Sequence, residues 1–161
     1  MKKVILTATL LTSFLFANSS ITIDGTSTLH DWKMVSEKID TEFESDDSDI
    51  TKLNVSVKID TLKSGDEGLD EKAYETLKID RKNNIIFELE NANLKAGEIK
   101  GVFRVLDKEK EVVLKPEILT LNQVKGSFKV KMTDFGLEVP SVMFGAIKSG
   151  DEVTVSYNIE K

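Results

Sequence analysis

Over most of its length the chain alternates apolar and polar residues one by one, the period of a strand that buries one face and wets the other. Leu53, Val55, Val57 and Ile59 stand against Asn54, Ser56 and Lys58. Val153, Val155, Tyr157 and Ile159 stand against Thr154, Ser156 and Asn158, and Val124, Phe128, Val130 and Met132 stand against Lys125, Ser127, Lys129 and Lys131. Weaker runs of the same kind cover residues 20–24, 31–43, 85–94, 98–106 and 110–120, with Pro116 marking a bend, a bulge or a strand end. That makes roughly eight strands, separated by turns at Glu109 and Lys110, at Asn93 to Gly97, and at Asn122 with Gln123.

One stretch changes period. From Asp66 to Leu77, apolar Leu69, Ala73 and Leu77 recur every fourth residue, which is helical spacing. Asp66 or Asp70 can cap this helix, and Asp66, Glu67, Asp70 and Glu71 suit the positive end of its dipole. The helix falls after the third expected strand and is suited to closing one end of a β structure. Thr133 to Gly150, with Gly136, Pro140, Gly145 and Gly150, reads as a loop or short helix.

Eight mostly antiparallel strands fit either a closed barrel or a sandwich, and alternation does not separate them. Aromatic and β-branched residues on the apolar faces, against charged opposite faces, favour a closed sheet with a wet exterior. At 161 residues the chain is one domain, and 28 acids against 22 bases, a net charge of −6, would repel a phosphate backbone. Nucleic acid is therefore not an expected partner. The absence of cysteine excludes disulfides, thiolate metal sites, a lipidated cysteine anchor and cysteine nucleophiles.

Residues 1–17, MKKVILTATLLTSFLFA, have Lys2 and Lys3 ahead of a 13-residue apolar run, Val4 to Phe16, and end on the small residue Ala17. A membrane-spanning helix needs about 20 apolar residues, so this segment reads as a signal peptide cleaved after Ala17. The product, residues 18–161, keeps 20 basic and 28 acidic residues, a charge of −8. A soluble, periplasmic protein without stable membrane insertion is the expectation.

No constellation points to catalysis. His30 is the only histidine; with its neighbour Asp31 it could act as a base or bind a metal, but a zinc site takes several His, Cys or carboxylate ligands, and no other His or Cys is there to help. Ser27, His30 and Asp31 lie too close in an extended chain to converge as a triad, and no nucleophile-elbow glycines surround a serine. His30 and Trp32 share one face at a strand start, with the indole filling or rimming the interior. Asp46, Asp47 and Asp49 lack the glycine and distal glutamate of a calcium loop and read as a solvated turn. GAIKSG, residues 145–150, lacks the ending of a phosphate loop and leads into a strand, and the Asn54-Val55-Ser56 sequon lies inside a strand. What remains is the interior: Trp32, Phe43, Val55, Val57, Phe87, Leu89, Phe103, Val105, Phe128, Val130, Val155 and Tyr157 are the inward candidates. A barrel of eight strands is either just filled by such side chains or holds one small ligand.

Four motifs in order then carry a resemblance: GTSTLHDW (25–32), KSGDEGLDEKAYETLKID (63–80), IIFELENANL (85–94) and MTDFGLEVPSVMFGAIKSGDEVTVSYNIE (132–160). They resemble the YceI-like family across essentially the whole exported chain. Gly101 to Leu114, GVFRVLDKEKEVVL, departs from it by looking abbreviated. The resemblance implies an all-β, lipocalin-like, extended eight-stranded antiparallel β-barrel whose apolar cavity holds a polyisoprenoid chain, such as an isoprenoid quinone or similar lipid, in an exported protein often linked to stress. It implies no enzymatic activity and no required cofactor. By this carry-over Trp32, Phe87, Phe103, Phe128, Phe135, Phe144 and Tyr157 are expected to bind the ligand, and inward Val55 and Val57 join them. The rival reading is a packed barrel without lipid, acting in stress through its acidic surface. An exposed apolar mouth could also pair two copies into a homodimer.

Overall fold

Where the alternation runs unbroken, strands form. The computed structural model describes residues 19–81 and 84–161, so the expected signal peptide lies outside the described residues. The strands are β1 (Ser20–Gly25), β2 (Trp32–Ser36), β3 (Ile39–Ser45), β4 (Ile50–Lys58), β5 (Asn84–Asn93), β6 (Glu98–Val105), β7 (Lys108–Leu114), β8 (Ile118–Leu119), β9 (Gln123–Lys131), β10 (Ser141–Val142), β11 (Ile147–Lys148) and β12 (Glu152–Glu160). Helix α1 spans Glu67–Thr76. Asp66 is its cap, accepting from the Leu69 N–H at 3.1 Å.

Pairing is antiparallel and falls into two five-stranded sheets, ordered β2-β1-β12-β9-β8 and β3-β4-β5-β6-β7, with β10 and β11 as a separate hairpin. This corrects the expected single eight-stranded barrel: among the described residues no strand ladder closes the sheets on one another. The physical reason lies in two corners. The run 31–43 splits into β2 and β3 at Glu37 and Lys38, where the buried Ser36 hydroxyl accepts from the Lys38 N–H at 3.3 Å and meets Thr61 Oγ1 at 2.7 Å. The run 110–120 splits around Pro116, which has no N–H to give a ladder. At each corner the chain leaves one sheet and enters the other, the usual way strands turn between packed sheets.

The seam beside β2 is partly stitched: Val35 and Lys63 exchange backbone hydrogen bonds at 2.8 and 2.9 Å. Helix α1 follows the fourth strand, not the third, and its approach is held by Tyr74, whose hydroxyl donates to the Leu62 carbonyl at 2.7 Å. Glu109 and Lys110 lie within β7. The turn there is Leu106 and Asp107, with Leu106 at φ 55°.

Between the sheets sits the core. Leu53, Val55 and Val57 of β4, Ile99, Phe103 and Val105 of β6, and Val153, Val155, Tyr157 and Ile159 of β12 are all buried. Gly101 serves this packing directly, because a Cβ there would lie 2.4 Å from the Glu88 carbonyl and 2.6 Å from the Phe87 ring. On the outer face, Arg104 bridges Glu88 and Glu109 at 3.6 and 3.1 Å, and Lys100 bridges Glu90 and Glu111 at 3.4 and 3.3 Å. Exposed pairs of this kind contribute little stability and keep the outside wet.

Candidate functional site

The inner faces do not fill the space between the sheets. A cavity of about 330 Å³ lies at one end, walled by Ile23, Met34, Val153 and Val155 of the first sheet and by Ile85, Phe103 and Val105 of the second. Leu69 and Ala73 of α1 and Leu77, which caps its C-terminus, cover it, the same four-residue period that marks the helix in the sequence. Met132 and Phe135, in a short 3-10 turn after β9, line it as well, and Gly136 ends that turn at φ 69°.

Behind it lies a smaller cavity of about 70 Å³, lined by Val55, Val57, Phe87, Phe128 and Tyr157 among others. Ile23, Leu62, Ile85, Phe103 and Val155 border both spaces. Phe103 is the aromatic residue among them: its ring meets Phe128 at 5.3 Å and Phe135 at 5.4 Å between centroids, both edge to face. The inner lining is almost wholly apolar, with one exception. The buried Tyr157 hydroxyl has no hydrogen-bond partner among the described residues, and burial, with a smaller contribution from the Glu117 charge, pushes its pKa up to about 12.

The outer cavity is rimmed by residues of the loop after β1 and of the β10–β11 hairpin. The loop after β1 and the β10–β11 hairpin are joined by Thr28, whose N–H donates to the Lys148 carbonyl at 3.0 Å and whose hydroxyl accepts from the Lys148 N–H at 3.1 Å. Trp32 completes the joint, its Nε1–H reaching the Thr26 carbonyl and the Ser149 hydroxyl, each at 3.1 Å. The indole lies flat over Gly25, where a Cβ would come within 2.1 Å of the ring. Leu29, His30 and Val142 are exposed and form part of the rim.

The expected binding residues therefore separate into three sets. Trp32, Phe103 and Phe135 line the outer cavity, while Val55, Val57, Phe87, Phe128 and Tyr157 line the inner one together with Phe103. Phe144 lines neither. It stands fully exposed at the tip of the β10–β11 hairpin, where Met143, Phe144 and Gly145 all take positive φ. Sequence reasoning passes over Leu62, Met34 and the underside of α1 as lining residues. Of these only the helix carries a readable signal, its apolar stripe.

The polar candidates stay apart from any catalytic arrangement. His30 is exposed, and its Nδ1 contacts the Asp31 carbonyl at 2.9 Å. The Ser27 hydroxyl donates to the His30 carbonyl at 2.7 Å, not to its ring. Asp46 closes its own turn, accepting from the Ser48 and Asp49 N–H groups at 2.7 and 2.9 Å. Among the described residues, no three acidic or histidine side chains converge as metal ligands.

A YceI-like domain model matches residues 13–161. No curated protein matches the sequence. Among solved structures, BcnA of Burkholderia cenocepacia is similar with a TM-score of 0.70 at 10% identity, covering 88% of this chain and 94% of that one. A Campylobacter jejuni YCEI protein is similar with a TM-score of 0.60 at 15% identity, covering 77% of this chain and 80% of the other. At such identities the structural likeness is one of fold.

Proposed function

The chain belongs to the YceI-like domain family, which is associated with polyisoprenoid binding, and from that membership we propose that it carries or sequesters one long apolar chain between its sheets. The observation that carries this reading is the pair of adjoining cavities, about 330 and 70 Å³, with Phe103 bordering both and almost no polar lining inside. The outer volume falls in the range of small-molecule sites, roughly 300 to 1,000 Å³. Burial of an apolar chain contributes about 0.8 kcal/mol per methylene, so some ten buried carbons supply on the order of 8 kcal/mol before ordering costs.

The ligand class is an isoprenoid quinone or a similar polyisoprenoid lipid, with its chain inside and its polar end at the mouth, near His30 and Ser27. Binding is non-covalent and needs no resident cofactor. The family is generally one of non-enzymatic binding proteins, and the Ser27 hydroxyl and the His30 ring each turn to a backbone carbonyl instead of to one another. The basic, then apolar, N-terminal segment supports export to the periplasm, where such a carrier would shield a lipid from water.

The test is native mass spectrometry of the exported protein, followed by organic extraction and identification of what is released. A stoichiometric polyisoprenoid or quinone is the expected result, and Ala73→Phe, which fills the outer cavity from α1, should lower its occupancy. A folded protein that carries no lipid and fails to bind added polyprenol, quinone or fatty acid would overturn the reading and favour a protein partner recognised by the acidic surface.

A further inference from the structure

Beside the mouth the molecule does something that its own stability does not require. The β10–β11 hairpin closes through two overlapping turns, in which the Gly145 N–H donates to the Val142 carbonyl at 3.2 Å and the Ala146 N–H to the Met143 carbonyl at 3.1 Å. Their inner residues, Met143, Phe144 and Gly145, have φ of 52°, 55° and 85°. Such left-handed positions favour glycine, asparagine or aspartate, and bulky side chains are disfavoured there. Here two of the three hold large apolar residues, with Met143 69% and Phe144 113% exposed. Neither touches the core, so burial gives the hairpin no return for them.

Position supplies the reason. Val142 is exposed and lines the outer cavity, as does Leu29, which is 65% exposed. Thr28 fastens the Leu29 loop to the hairpin through Ala146 and Lys148, so these four apolar side chains ride on one block at the entrance. We propose that this tip is a bilayer-docking surface: Leu29, Val142, Met143 and Phe144 enter the outer layer of a lipid membrane and set the cavity mouth against it, so that an apolar chain passes between bilayer and protein without crossing water. The inference rests on the carrier reading.

Two observations commit the surface to a bilayer instead of a second copy or another protein. Three side chains on the hairpin and one on the adjoining loop cannot furnish the roughly 800 Å² and 20 to 30 residues per partner that a stable protein interface uses. They are, however, the right kind of feature to sink into the headgroup and upper acyl region of a membrane. The patch is also continuous with the entrance to an apolar cavity, which is where a membrane-dissolved chain must be handed over. Because the chain carries a net charge of −6, docking is driven by apolar insertion and works on uncharged membranes.

The sequence has no cysteine, so a single one can be placed and labelled with a fluorophore that brightens in apolar surroundings. Phe144→Cys places it at the tip, and Val113→Cys, 58% exposed on β7, serves as the comparison. Both proteins share every other feature, including any N-terminal segment. With phosphatidylcholine vesicles the label at 144 should shift blue and brighten several-fold, undiminished by added salt, while the label at 113 stays as in water. No shift at 144, equal shifts at both positions, or a shift at 144 that grows with protein concentration without vesicles would overturn the proposal, the last because it marks self-association. Lipid occupancy, read by native mass spectrometry on the same samples, separates the two readings. A lipid-filled protein whose tip stays in water loses only the docking surface, and an inserting tip on a protein that holds no lipid loses the carrier function.

Discussion

Phe103 of β6 and Phe128 of β9 meet edge to face with ring centroids 5.3 Å apart and planes at 88°, so the two sheets touch through a pair of rings where no backbone ladder joins them. Phe135 makes the same kind of contact from the other side of Phe103 at 5.4 Å.

Removing that ring should be among the most damaging single changes in the core. Phe103→Ala is expected to lower stability by about 3–5 kcal/mol, seen as a lower urea midpoint with little change in slope. Phe103→Leu should cost less while still losing the edge-to-face term, about 0.5–1.5 kcal/mol for each ring pair. If the cavities hold an apolar chain as proposed, the folded leucine variant, with a smaller side chain where the two spaces adjoin, should also shift its preference toward longer polyprenols in competition binding.

Tyr157 should limit tolerance of alkali. Its folded pKa is pushed up to about 12 by burial, against about 10 in an unfolded chain. The neutral hydroxyl is the form the fold holds, so its contribution is complete below pH 10 and is lost as pH rises toward 12. Tyr157→Phe should flatten the fall in denaturation midpoint across that window. At neutral pH the same change should be close to neutral or stabilising, because it removes a buried hydroxyl with no partner among the described residues.

Asp70 should act at the other end of the scale. Burial pushes its carboxyl up, but the Ser64 hydroxyl and N–H, at 2.7 and 2.8 Å, and then Lys63 outweigh it, and the net direction is down. Its contribution is present above the ordinary carboxylate pKa, about 3.9, and is lost as pH falls through the lower folded value. Asp70→Asn should therefore lose about 1–3 kcal/mol at neutral pH, with the deficit narrowing in urea titrations below about pH 4.

Gly25→Ala tests the joint at the mouth. The added methyl would sit 2.1 Å from the Trp32 ring, so the indole must move and release Thr26 and Ser149. Trp32 is the single tryptophan, which makes its emission a clean reporter. A red shift and a loss of about 1–3 kcal/mol are expected; an unchanged spectrum with unchanged stability would mean that the joint does not hold the ring.

Strands β4, β9 and β12 are legible in the sequence because each buries one continuous face, and helix α1 is legible because Leu69, Ala73 and Leu77 keep its period. The corners are less so. Pro116 announces one of them, but Glu37 and Lys38 carry no glycine or proline, and the bend there depends on the buried Ser36 hydroxyl, a tertiary fact. Without the corners, alternation reads as a closed sheet. The cavity residues divide along the same line. Val55, Val57, Phe87, Phe103, Phe128 and Tyr157 sit on strands, where inward and outward follow from parity. Phe144 sits on a turn of three consecutive left-handed residues, where apolar character says nothing about direction.

The Trp32–Ser149 hydrogen bond joins residues 117 positions apart, and β12, between β1 and β9, comes from the last stretch of the chain. Contacts so distant in sequence raise the contact order and slow folding. A chain still emerging from a ribosome or a translocation channel has inner strands but no doorway, since one doorpost is made almost first and the other almost last. A premature stop before Ser149 would remove β12, the strand between β1 and β9, and leave the apolar inner face of the first sheet open.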